Sequence, residues 1–113
     1  MEQLRIGDIK ALEVPVRFLE MDPWAHGSGY AKEWVIRNIN RLELPPAYVR
    51  RLQNVVLSVI DKADGRREIR SYCRLARKVD SADLRLELED RLTVSYSRVG
   101  QRAQWALDAC RNK

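Results

Sequence analysis

The 113-residue chain reads as an all-α, single-domain bundle of four to five amphipathic helices behind an irregular or extended N-terminal arm. Three observations predict this. From Tyr30 onward, apolar residues recur at steps of three and four, the helical period. Breakers and caps separate the periodic stretches, at Leu44-Pro45-Pro46, Asp64-Gly65 and Asp80-Ser81. With 45% hydrophobic and 33% charged residues, the composition suits one core with a well-solvated surface. The length leaves room for one domain, divided into an arm and loop over 1–28 and a helical domain over 29–113.

The first element is read as extended. Ile6, Ile9, Leu12, Val14, Val16 and Phe18 mix helical with alternating spacing. Pro15 removes a backbone donor and biases Val14 toward extended geometry. An arm or short edge strand is therefore expected over 12–19. The opening MEQLRIGDIK carries acidic residues and no apolar core of a secretory signal. No apolar run approaches the roughly 18–20 residues that cross a bilayer. A cytoplasmic address and no membrane contact are the expectation.

A helix is expected over 30–42, with Tyr30, Trp34, Val35 or Ile36, Ile39 and Leu42 near one face. Pro45 and Pro46 stop it, and Pro46 suits the first turn of the next helix. That helix, 47–64, has the clearest pattern, with Val49, Leu52, Val55, Val56, Val59 and Ile60 forming a broad apolar stripe. A third helix, 66–79, turns Ile69, Tyr72, Cys73, Ala76 and Val79 inward. Asp80 or Ser81 caps the helix after it.

The segment 84–97 admits two readings. Leu84, Leu86 and Leu88 alternate like a strand, as do Leu92, Val94 and Tyr96, which permits a hairpin. Against it, Leu88, Leu92, Tyr96, Val99, Ala103, Ala106 and Cys110 follow the helical step throughout. The longer match favours helix, either one long helix or two with a break near Thr93–Ser97. LPPAYVR at 44–50 and VDSADLR at 79–85 echo one another at an offset resembling that of helical-hairpin repeats, so a HEAT-like stacking of hairpins is one form of the bundle.

Charge is uneven. The formal net charge is +5, and 66–79 alone has an excess of that size: Arg66, Arg67, Arg70, Arg74, Arg77 and Lys78 against Glu68. At about 100° per residue, Arg67, Arg70, Arg74, Arg77 and Lys78 lie opposite Ile69, Cys73 and Ala76. Arginine's planar fork grips carboxylate or phosphate through two parallel hydrogen bonds. The stripe is the candidate binding site, for an acidic protein surface first and for nucleic acid second. The plainer alternative is a solvated face, part-neutralised by Glu87, Glu89 and Asp90 of the next helix. The sequence lacks exposed aromatics interleaved with the stripe, which would stack on single-stranded bases; Tyr72 points inward on this wheel.

The stretch MDPWAHGSGYAKEW, 21–34, holds the single histidine and a possible loop site of His26, Ser28 and Lys32. Its glycine spacing matches neither GxxxxGK[ST] nor GxGxxG, because Lys32 stands where the third glycine would be and is followed by Glu33. An acyl-transfer site needs GxSxG and a separate base, and His26 is already within the loop. A hydrolase centred on His26 therefore ranks third, and no catalytic residue is assigned. The structural alternative makes Asp22-Pro23 the cap and first turn of a short helix, with Trp24 and Trp34 covering one end of the core. Cys73 and Cys110 sit in apolar helical patterns, as small buried hydrophobes of a reducing compartment do. One histidine and two distant cysteines are a poor start for the four ligands of zinc. No metal or cofactor is expected, and the function anticipated is non-enzymatic: a small adaptor, inhibitor or accessory factor.

Overall fold

A computed structural model describes residues 9–23, 28–62, 68–93 and 98–111. Among them the chain forms six helices: α1 (Ile9–Met21), α2 (Ser28–Ile39), α3 (Pro46–Lys62), α4 (Ile69–Lys78), α5 (Ala82–Leu92) and α6 (Arg98–Arg111). No strand occurs among the described residues, so the fold is all-α, with six helices where four or five were expected. The buried side chains form one cluster. The Cα radius of gyration is 13.6 Å, near the roughly 13 Å expected of a single domain of this length. The shortest extent, 20 Å, is the depth of about two helix diameters.

α3 touches α1, α4, α5 and α6. Its Leu52, Val55, Val56, Val59 and Ile60 are buried, each removing a side chain's apolar surface from water at about 1.5–3 kcal/mol. Pro46 begins this helix as expected. α6 lies between α4 and α5 and packs extensively on both. Small side chains permit the close approach: Ala76 on α4 and Ala103 and Ala106 on α6 are fully buried, and the Cys110 thiol donates to the Ala76 carbonyl at 3.5 Å. On α5, Leu84 and Leu88 are buried, whereas Leu86 between them is 63% exposed. Alternation along the chain becomes a helical i, i+4 pair in space, and the hairpin at 84–97 is excluded over the described part of that segment. The two-helix form with a break holds, with Thr93 in a turn after α5.

Ser81 caps α5, its hydroxyl accepting the Leu84 N–H at 3.0 Å. Gln53 of α3 holds the same corner by donating to the Val79 carbonyl (2.7 Å) and the Ser81 hydroxyl (3.1 Å). Asp80 is taken by Arg85 through two hydrogen bonds, and Arg85 also donates to the Cys110 carbonyl in the last turn of α6.

The extended reading of 12–19 is overturned. Residues 12–19 are helical, with Pro15 inside α1. Pro15 brings no N–H for the carbonyl four residues earlier, a cost that usually ends a helix. Here Leu12, Pro15, Val16 and Leu19 are all buried on one face, and this packing outweighs the lost hydrogen bond. Glu13 and Glu20, seven apart, share another face of α1 and grip Arg51 of α3. The guanidinium donates to Glu13 at 2.8 and 3.0 Å and to Glu20 at 2.7 and 3.0 Å. Tyr48 donates its hydroxyl to Glu13 at 3.1 Å, and Arg51 lies 5.2 Å from the Tyr48 ring centroid.

Asp22 closes α1 in a left-handed conformation, φ 48°, its N–H shared between the Phe18 and Leu19 carbonyls; the short turn or helix expected after it falls on 24–27, outside the described residues. A residue of this kind commonly comes after the last turn of a helix. Trp24 and the Asp64-Gly65 turn lie outside the described residues.

Candidate basic groove between α4 and α6

Four of the five predicted stripe residues, Arg70, Arg74, Arg77 and Lys78, are exposed on α4; Arg67 lies outside the described residues. None of the four forms an ion pair with a described carboxylate. Of the three carboxylates expected to neutralise them, Glu87 pairs with Arg91 at 3.1 Å and Glu89 with Arg111 at 3.6 Å, while Asp90 is exposed on α5. α4 and α5 do not touch, because α6 separates them.

The buried face of α4 is turned from the expected one. Leu75 is fully buried with Tyr72, Ala76 and Val79, whereas Ile69 and Cys73 are half-buried. The rotation brings Ile69 and Cys73, one helical turn apart, to the edge of the core. There they floor a groove of about 490 Å³ completed by Arg70, Arg74, Trp105 and Asp108. Trp105 of α6 is 44% exposed. Asp108 is exposed and accepts from the Gln104 amide at 2.9 Å. Arg74 also borders an adjoining open basin of about 550 Å³ with Asn40, Arg77 and Lys78. There the Asn40 Oδ1 is buried with no hydrogen-bond donor. Burial pushes the Cys73 thiol up to about 11, against the opposing pull of Arg102, so this thiol is protonated at neutral pH and poorly nucleophilic.

The groove joins two kinds of surface. Its floor and one wall are apolar, its rim carries two guanidinium groups, and its volume lies within the range of small-ligand and side-chain pockets. Trp105 stands outside the helical seam of Val99, Ala103, Ala106 and Cys110, and the sequence expects no exposed aromatic beside the stripe. Its position beside Arg70 and Arg74 depends on α6 docking against α4.

Lys32 is not a loop group. It sits on α2, fully buried, with its ammonium 2.6 Å from Asp22 and 3.7 Å from Glu68. Lys62 of α3 pairs with the other oxygen of Asp22. On α2 the expected face holds in part: Val35, Ile36 and Ile39 are buried, with Leu42 just beyond the helix, but Tyr30 and Trp34 are exposed at 60% and 40%, and Lys32 turns inward. The charge network at Asp22 and Glu68 draws the lysine in. His26 and the Ser28 side chain lie outside the described residues. Nothing thus places the three side chains together, and the charge of Lys32 is engaged in ion pairs. The cavity beside this network, lined by Asp22, Lys62 and Arg51 among others, holds about 180 Å³, below the roughly 300 Å³ of ordinary ligand sites.

Among the described residues no group of three or more His, Cys, Asp or Glu side chains converges to hold a metal ion, and no helix is long and apolar enough to cross a membrane. Cys73 and Cys110 are both free thiols. No protein-family model, no curated protein and no solved structure matches this chain.

Proposed function

We propose that this chain is a non-enzymatic binding protein, a small cytoplasmic adaptor, inhibitor or accessory factor that contacts an acidic protein partner through α4. One observation carries the reading: Arg70, Arg74, Arg77 and Lys78 stand exposed without an ion pair to a described carboxylate, while Glu87 and Glu89 of the next helix pair with Arg91 and Arg111. A solvated helix face is ordinarily laced with pairs of mixed sign; this one is uniformly cationic. Unpaired arginines keep their fork free for a partner's carboxylates.

Nucleic acid is the second reading, favoured by Trp105, an exposed aromatic beside two arginines that suits base stacking. Asp108, lining the same groove, opposes it by repelling phosphate. Fluorescence anisotropy with a labelled polyglutamate peptide and with short DNA and RNA oligonucleotides, over a salt series, separates the two. The acidic-partner reading expects peptide binding that Arg74→Glu/Arg77→Glu weakens at least about tenfold, or 1.4 kcal/mol. Oligonucleotide binding with a steep linear log–log salt dependence, and none of the peptide, would replace the first reading by the second.

A further inference from the structure

We infer that the groove between α4 and α6 receives one apolar side chain of an acidic amphipathic helix, whose carboxylates bridge to the arginines on its rim. This deepens the acidic-partner reading and rests on it. Charge alone does not explain the site. A surface built to attract acids by field alone has no use for apolar lining, yet Ile69, Cys73 and Trp105 line the same groove as Arg70 and Arg74. Tryptophan and arginine around a pocket that excludes water are the composition that anchors protein interfaces. A helix laid in a groove with apolar anchors on one face is a recurrent mode of recognition.

The dimensions agree. From Arg70 to Lys78 the stripe runs about 12 Å along the axis, which matches roughly two turns of a partner helix. Its anchor sits at the Trp105 end, and its acids extend over Arg74 toward Arg77 and Lys78.

A second copy of the chain is a competing occupant, because α5 displays Leu86, 63% exposed, with Asp83, Glu87 and Asp90 also exposed on that helix. Two considerations favour a different protein. Copies carrying a net charge of +5 repel one another, and seating α5 of one copy on α4 of the next is a heterologous contact that tends to run on into open chains.

The test compares two synthetic helical peptides on the intact protein by titration calorimetry: a Glu/Leu amphipathic peptide and its counterpart with every Leu replaced by Gln. They have equal charge and differ in the anchor. The leucine peptide is expected to bind at least about tenfold more tightly, the effect of burying one such side chain. Trp105→Ala removes that advantage while leaving the affinity for the glutamine peptide unchanged. Cys73→Met, which fills the floor without adding charge, removes it too, and this keeps the test decisive if one variant folds poorly by circular dichroism. Equal affinities, or an advantage that survives both variants, overturn the groove while leaving the acidic-partner reading in place. Binding of neither peptide overturns both. Concentration-dependent self-association in sedimentation, abolished by Trp105→Ala, overturns the separate partner in favour of a second copy.

Discussion

Glu13 shows how far a single contact can be carried toward a measurable property. Hydrogen bonds from Arg51 and then Tyr48 hold its carboxyl down to about 2, from an ordinary value of 4.5; Arg51 lowers Glu20 in the same way. A carboxylate whose folded pKa is depressed stabilises the fold above its unfolded pKa and loses that contribution as pH falls through the folded value. The stability gap between wild type and Glu13→Gln is therefore expected to be constant above pH 4.5 and to close as pH falls toward 2. Denaturant midpoints over that range measure it, and a gap independent of pH would contradict the clasp. Lys32 gives a contrast in burial. Lys32→Met takes the buried ammonium away from Asp22 and Glu68, and a loss of about 3–5 kcal/mol is expected from breaking a buried pair. Lys62→Ala removes a half-exposed partner of the same Asp22, and about 1 kcal/mol or less is expected there. Similar melting-temperature losses for the two would mean that the Lys32 site is wet. At Cys73, a thiol at about 11 leaves on the order of one thiolate in a thousand at pH 8. Alkylation by iodoacetamide should accordingly be far slower than for a free cysteine at that pH.

α5 is the element whose start depends most visibly on local chemistry. Ser81 accepts the Leu84 N–H and also receives Gln53 from α3, so it caps the helix and ties it to the centre of the fold. Ser81→Ala is expected to cost about 1 kcal/mol, read as a lower denaturant midpoint with unchanged slope; no change would mean that the cap is replaced by solvent. α1 makes the opposite point. Its one proline argues against a helix, and the alternation of Leu12, Val14, Val16 and Phe18 argues for a strand. Yet Val14 ends 72% exposed while Leu12, Val16 and Leu19 are buried. The helical set was present in the sequence, but a local rule about proline competes with it, and the core of α3 decides between them.

In the whole molecule, α6 transmits stability from one side to the other because α4 and α5 meet through it and not directly. Leu107 is fully buried on α6, and Leu107→Ala is expected to cost about 2–5 kcal/mol. Hydrogen exchange should show α4 and α5 losing protection together. Loss confined to α6 would argue against that mediating role. The same arrangement explains the free stripe. With α6 between them, the acids of α5 are kept from the cations of α4, and Glu87 and Glu89 pair with Arg91 and Arg111 instead.

The sequence alone determined the all-α class, the starts at Pro46 and Ser81, the main apolar stripe of α3 and the outward face of α4, because helical period and caps are local quantities. The break between α5 and α6 was legible as one of two alternatives. Tertiary structure decided the helicity of α1, the burial of Lys32 between Asp22 and Glu68, the rotation that brings Cys73 to the groove, and the meeting of Trp105 with Arg70 and Arg74. Each of these depends on which helix lies beside which. Residues far apart along the chain acquire a common surface only when the core selects their neighbours, and no periodicity within one element encodes that choice.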